Sequence, residues 1–472
     1  MASPQTTPPQ QRALVRLVHG RTALLVAFAF SVMADPVSSV AYAIEAALRA
    51  LDGNLALLMP AMIAVVVVVA LVVASYHQLV ARFPEGGGSA AAAGAAFGEG
   101  FAFIPMGALI VDFVLTISIS VSAGASAIIS YVPSLAPWRI VLALGLLVLV
   151  AGLMWFGHLG RAVFALLTIA FIVTAVLVLL PVPGAASAVL PVHPVASAPL
   201  SVALAFPVAM ALATGVEAPS SAIAQLAQLD NNGRRAFGRW ALWLTLGIVG
   251  VLTLSITAAV VHLGITVPQD DSTMVAELAR AADGPAVFAA FQATTALLLL
   301  SAASSSFQAG PGLLKALARK KGADGTERGV LPAVLGRTNV HHVPVIGVVV
   351  FAIISMVVVL AAGARDQELV LFYAVAVFVS FLTGLLAMAR FSLHDHKPWW
   401  VVLNVAAALV VAFTLVANLA RPAAIGSLAA TALAAAGLYW SWVRAGRPRG
   451  AGHAVAEAEV LEDEVDLLVD DD

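Results

Sequence analysis

Four carboxylates stand where a carboxylate is costly. Asp35, Glu45, Asp112 and Glu217 fall inside long apolar runs of the 472-residue chain, and an acidic side chain at mid-membrane depth costs about 2.5–3.5 kcal/mol on insertion scales. No Lys or Arg lies at comparable depth in these runs to pair with Asp35, Asp112 or Glu217, so their compensation has to come from a proton, polar neighbours or a bound cation. Glu45 lies nearer the end of its run and is the weakest of the four. In ADPVSSVAYAIE, Asp35 precedes Pro36, Ser38, Ser39 and Tyr42. Proline removes an amide donor and pushes the preceding residue toward extended backbone, so a helix break that frees carbonyl oxygens is expected there. In FPVAMALATGVEAPSS, Thr214, Gly215 and Glu217 sit between Pro207 and Pro219, the setting for a second break. In IVDFVLTISISVSAG, Asp112, Thr116 and Ser120 are spaced i, i+4, i+8, which puts them on one helical stripe. Carboxylates, hydroxyls and freed carbonyls together form an oxygen-rich cage suited to a monovalent alkali cation. For each hydroxyl the plainer reading is a bond to its own helix backbone.

The elements that must position these groups are membrane spans. Of the residues, 61% are hydrophobic and 11% charged, with a mean hydropathy of +0.99, against about 45–50% and 25% in soluble domains. Runs long enough to cross a bilayer cover roughly 22–48, 55–80, 102–131, 138–156, 161–181, 199–226, 237–262, 285–316, 343–362, 368–390, 399–419 and 423–443. These predict an all-α membrane protein of about twelve transmembrane helices. The runs are continuous rather than alternating, which argues against a β-barrel. The two expected breaks fall in the first and the sixth span. Paired discontinuous helices in corresponding places predict an inverted-repeat transporter with its site at the breaks.

Charge sorting supports the span count. With the N-terminus cytoplasmic, 19 of the 24 Lys and Arg residues fall in inner segments, as the positive-inside rule requires. A multi-pass protein of the cell membrane with both termini cytoplasmic is expected. It divides into a cytoplasmic tail at 1–21, a transporter domain at 22–443 and an acidic, disordered cytoplasmic tail at 444–472. Residues 182–200 read as an outer loop, and 266–283 as a loop with a short surface helix. The polar MASPQTTPPQQ start carries no signal-peptide cleavage pattern, so the first run is expected to stay as a span.

Taken together, ADPVSSVAYAIE, the FPEGGGS loop, IVDFVLTISISVSAGASAI, ATGVEAPSSAI and LVLFYAVAVFVSFL resemble the KimA-type potassium–proton symporters of the amino acid–polyamine–organocation superfamily, over roughly residues 22–443. The resemblance implies a LeuT-type fold of two inverted five-helix repeats plus two further helices, with broken first and sixth helices. It also implies a cation site drawn from the first, third and sixth helices: Asp35, Tyr42, Asp112, Thr116, Ser120, Thr214 and Glu217. The chain departs from that pattern in three places. Ser89 and alanines follow the Gly-rich loop where a Tyr is usual, the segment ARKKGADGTERGVLPAVLGR has lost the family pattern, and no cytosolic domain is expected after residue 443.

Proton-coupled uptake of potassium or a similar monovalent cation by alternating access is the function this implies, with Glu217 and Asp112 as proton-coupling candidates. A proton-coupled amino acid or polyamine permease is the alternative. Such permeases usually present a small-residue break in the first helix whose amides bind a substrate carboxylate, which Asp35 would repel. Expected partners are the cation, a proton and the lipid bilayer; a homodimer is compatible with this reading. Other classes find little support. A net charge of −2 gives no footprint for nucleic acid, and the absence of Cys excludes disulfides, thiol catalysis and thiolate metal sites. Gly86–Gly88 lacks the GK[ST] and preceding strand of a phosphate loop, and His341, His342, His394 and His396 form no organised ligand set. No cofactor, no metal beyond the transported cation and no enzymatic activity are expected; an intramembrane hydrolase would need a GxGD or HExxH motif that the chain does not have.

Overall fold

Apolar runs in a bilayer have to satisfy their own backbone polar groups, and the helix does so within one segment. The computed structural model describes residues 21–157, 161–184, 198–226, 228–282, 284–318 and 329–459, and among them it is helical with no strand. Among the described residues eleven helices are long and apolar enough to cross a membrane: Leu25–Ala50, Leu55–Arg82, Glu99–Tyr131, Pro133–Trp155, Ala162–Leu179, Ala198–Gln225, Asn231–Leu263, Pro285–Ala318, Asp366–His394, Pro398–Asn418 and Pro422–Arg444. The shorter apolar helix Val345–Ala361 stands ninth in chain order. These match the twelve hydropathy spans, and ordinal numbers below follow this order. Local chemistry sets several ends. Asn54 accepts from the Ala56 N–H (3.1 Å) before the second span, and Asp230 from the Gly233 N–H (2.9 Å) before the seventh, side-chain caps for otherwise unpaired donors. Gly264, at φ +66°, ends the seventh.

The third span is the axis of the bundle, packed against the eighth, tenth and twelfth. Peripheral spans keep large apolar side chains on the outside, including Leu149, Leu153 and Leu433, as a lipid-facing surface requires. Association of helices in lipid relies on close backbone approach at small residues. Gly107 of the third span shows this: a Cβ there would lie 2.5 Å from the Ala435 nitrogen of the twelfth.

The first and sixth spans are discontinuous. Ala34–Ala50 lies against Ala198–Ala209, and Arg21–Val32 against Ala218–Ala222. The two broken spans therefore run antiparallel to each other, five spans apart, as an inverted 5+5 repeat demands.

Two segments outside the spans depart from expectation. The short helix of the 266–283 loop forms, as Met274–Ala281, but Met274, Val275, Ala276, Leu278 and Ala279 are buried against the first and seventh spans. Its apolar face covers helix ends instead of lying in solvent. The acidic tail, expected to be solvated from residue 444, is packed in its described part. Residues 451–453 form a turn and Ala454–Glu459 a helix, with Ala451, Ala454, Val455 and Ala456 buried. The physical reason is compositional: AGHAVAEAE carries an apolar face of small residues, and most of the acids come later. The remainder of the tail (460–472), residues 1–20, most of the 182–200 loop and residues 319–328 lie outside the described residues.

The Gly107 contact is testable. Gly107→Val should lower the thermal unfolding transition in detergent by the equivalent of about 1–3 kcal/mol, the usual cost of overpacking. Gly145→Val, where an added Cβ meets nothing within 4 Å, should leave it in place; equal shifts would contradict the close approach of the third and twelfth spans.

Candidate functional site

The two breaks are built differently. The first span is interrupted at a single residue, Met33 (φ −86°, ψ 0°), and its second half starts at Ala34. Pro36 thus lies in a first helical turn, where a missing N–H costs little. The expected break is present as a one-residue interruption two positions before Asp35. Pro36 still offers no N–H to the Val32 carbonyl. The hydroxyls of Ser38 and Ser39 donate to the carbonyls of Asp35 and Pro36 at 2.7 Å each, and Ser39 also reaches the Leu212 carbonyl at 3.2 Å. The sixth span unwinds fully. A 3-10 turn at Met210–Ala213 leads to Thr214 in extended backbone (ψ 138°) and Gly215 at φ +69°, and helix resumes at Ala218.

Gly215 is where the breaks meet. A Cβ there would lie 2.6 Å from Asp35 Oδ2 and 2.9 Å from Pro36 Cδ. Only glycine supplies both this φ and this approach. Behind the second half of the sixth span lies the Gly-rich loop, with Gly86, Gly87 and Gly88 all at positive φ. A Cβ on Gly86 would come within 2.6 Å of the Ser221 carbonyl oxygen. The loop is a packing surface for the sixth span.

A cavity of about 100 Å³ opens between these elements, lined by Asp35, Asp112, Gly215 and Glu217 together with Ser305, Ser306 and Gln308 of the eighth span. Asp35 and Glu217 interact electrostatically. Asp35 Oδ1 and Glu217 Oε2 are buried and accept no hydrogen bond among the described residues, and no Lys or Arg belongs to the described wall. The three acids singled out by the sequence are therefore brought together. The other four candidates are buried but not on that wall. Tyr42 is within electrostatic reach of Asp35 and Asp112. Thr116 and Ser120 follow Asp112 along the third span. The Thr214 hydroxyl donates to the Ala211 carbonyl at 2.9 Å, the plainer reading for a hydroxyl, although its lone pairs remain acceptors.

Glu45 does not join the cavity. It is buried, pairs with Arg49 at 2.9 Å and accepts the Met274 N–H at 2.9 Å, while Arg49 donates to the Pro268 carbonyl at 3.0 Å. Beside it, Ser126 donates to Asp366 at 2.8 Å and Arg139 to Ser126 at 2.6 Å; Arg139 also bonds the Asp270 carbonyl. This polar network ties the end of the first span to the third, fourth and tenth and to the 266–283 loop, at the end of the molecule opposite the cavity mouth. Sequence reasoning missed Asp366, which looks like an ordinary loop acid beside Arg365. It also missed the eighth-span wall, although the polar run SSSFQ inside an apolar helix was a readable signal.

Residues 24–442 match the family described as amino acid permease. The chain belongs to that family of membrane transporters. Among curated proteins it is 29% identical over 388 residues to the potassium transporter KimA of Bacillus subtilis (strain 168), a match covering 78% of this chain and 61% of that relative. The chain thus spans less than two thirds of that relative's length. Among solved structures, two mutants of the Eremococcus coleocola manganese transporter align at TM-score 0.49 with 12% and 13% identity, covering 91% of this chain and 96% of theirs.

Carboxylates held for function and carboxylates held for structure respond differently to removal. Asp35→Asn and Glu217→Gln should leave the thermal transition of the purified protein unchanged or higher. Glu45→Ala orphans the Met274 N–H and should lower it by the equivalent of about 1–3 kcal/mol. A loss for Asp35→Asn as large as that for Glu45→Ala would assign Asp35 to the scaffold.

Proposed function

We propose that the chain is a secondary transporter that moves a potassium-like monovalent cation through the cell membrane by alternating access, coupled to a proton. The observation that carries this reading is the pair Asp35 and Glu217, with buried oxygens that accept no hydrogen bond among the described residues, in a cavity whose described wall has no Lys or Arg. Such a pair calls for positive charge from outside the protein, which a cation or a proton supplies. Asp112 completes the carboxylate set, and Tyr42, Thr116, Ser120 and Thr214 supply oxygens or hydroxyls behind it. Glu217 and Asp112 are the candidates for carrying the proton. The domain is residues 22–443, with the basic face and both termini cytoplasmic, as the positive-inside rule favours.

Cavity size supports an ion over a larger solute. About 100 Å³ admits a cation with a few waters, whereas pockets for organic ligands usually span roughly 300–1,000 Å³. The similarity to a potassium transporter points the same way. A proton-coupled amino acid or polyamine permease is the second reading, favoured by the family description. A free amino acid would have to bring its carboxylate toward Asp35, whereas a polyamine would not.

Rubidium uptake in a potassium-transport-deficient host tests the proposal. Wild type should accumulate labelled rubidium in a manner abolished by collapsing the proton gradient, with proton flux in parallel. Asp35→Asn should reduce uptake to background. Gly215→Ala, which sets a methyl group against the Asp35 carboxylate, should reduce it about tenfold or more, the effect of displacing a site group by roughly 1 Å. Uptake competed by amino acids or polyamines but indifferent to potassium would favour the permease reading, and rubidium uptake insensitive to proton and membrane gradients would end the symport reading.

A further inference from the structure

The wall of the cavity includes one residue from far along the chain. Val455, of the helix Ala454–Glu459, lines it together with Asp35, Asp112 and Glu217. This helix packs on the eighth span, on Ala218–Ala222 and Ile223–Gln225 of the sixth, and on the helix Gly88–Phe97 that follows the Gly-rich loop. Of these elements, the eighth span and the second half of the sixth also line the cavity. Glycines receive the segment. The three atoms nearest to a Cβ on Gly312 of the eighth span would all belong to Ala458 of the tail, its carbonyl oxygen at 2.9 Å. A Cβ on Gly87 would lie 3.4 Å from the Gly452 carbonyl oxygen and 3.8 Å from Ala456 Cβ. The lead-in is held by polar bonds: the Trp442 indole N–H donates to the Pro448 carbonyl at 2.9 Å, and the Gly450 N–H to Glu99 Oε1 at 2.9 Å.

We infer that residues 451–459 are a built-in plug, which closes the cavity mouth when docked and must leave before the second half of the sixth span can move. The inference rests on the reading of this cavity as the transport site and adds its regulation. Docking buries four small apolar side chains, Ala451, Ala454, Val455 and Ala456. It adds no ion pair to the cavity acids, because Val455 presents only methyl groups to them. The plug therefore blocks space without neutralising charge, and it leaves the carboxylates to be satisfied by the transported ion. A helix of six residues has no stability of its own, so undocking carries no further folding cost.

Two variants separate the plug from the scaffold: deletion of 451–472, and Gly312→Val, which fills the tail's seat while the full chain is kept. The chain has no Cys, so a single reporter, Ala309→Cys on the cavity wall, gives a clean readout. Labelling of that reporter by a charged maleimide, with purified protein in detergent, should be about tenfold or more faster in both variants, as when an open population of about 10% or less becomes dominant. Rubidium uptake should rise in the same variants without the reporter. Labelling rates unchanged in both variants would overturn the plug, whatever the substrate. Faster labelling with no rubidium uptake in any form, wild type included, would keep the plug and remove the cation reading instead. Uptake that falls in both variants while the labelling rate stays at the wild-type value would reassign the segment to the scaffold.

Discussion

Everything at the centre of this molecule depends on one contact, the backbone of Gly215 laid against the carboxylate of Asp35. A carboxylate deep in a membrane protein cannot stay bare, and the least demanding way to enclose it is to surround it with backbone that leaves room for a mobile positive charge. A side chain at position 215 would occupy the space that the Asp35 oxygens need. The positive φ of Gly215 turns the sixth span so that Thr214 ends one half and Glu217 begins the turn into the other. The Gly-rich loop is a consequence one layer out: with the sixth span bent, Ser220 and Ser221 press on Gly86 and Gly88, and only glycines at positive φ fit there.

What the sequence made legible follows from the same physics. Twelve spans and the positions of Asp35, Asp112 and Glu217 were readable because charge in an apolar run is rare, and its cost needs no tertiary information to recognise. The sixth-span break was readable because Pro207, Gly215 and Pro219 each weaken the helix. The first-span break was readable from Pro36, though not its slightness. Pro36 looks disruptive in isolation, but a helix beginning at Ala34 accommodates it in its first turn. Long-range pairings were not readable. Asp366 meets Ser126 across 240 positions, and nothing local marks the acid as buried. The packing of residues 451–459 was not legible because acids dominate the tail's composition, while five small residues ahead of them, Ala451 to Ala456 with one His between, decide where the segment packs.

The two ends of the cavity are closed by opposite kinds of chemistry. At the far end the closure is polar: Glu45 with Arg49 and the Met274 N–H, Asp366 with Ser126, Arg139 with the Asp270 carbonyl. Groups of this kind exchange protein partners for water at small net cost when they separate. The network fixes geometry and gives a closure that can be undone without exposing apolar surface. At the mouth the closure is apolar and small, alanines and a valine seated against glycines. Its separation exposes hydrocarbon and is opposed by the hydrophobic effect in proportion to a modest area. Neither closure places a fixed positive charge beside Asp35 or Glu217. A Lys or Arg at either gate would have satisfied those acids permanently and left the cavity nothing to bind. Under the proposed function, keeping the gate cations paired at the far end, and methyl groups at the mouth, reserves the buried carboxylates for the transported charge.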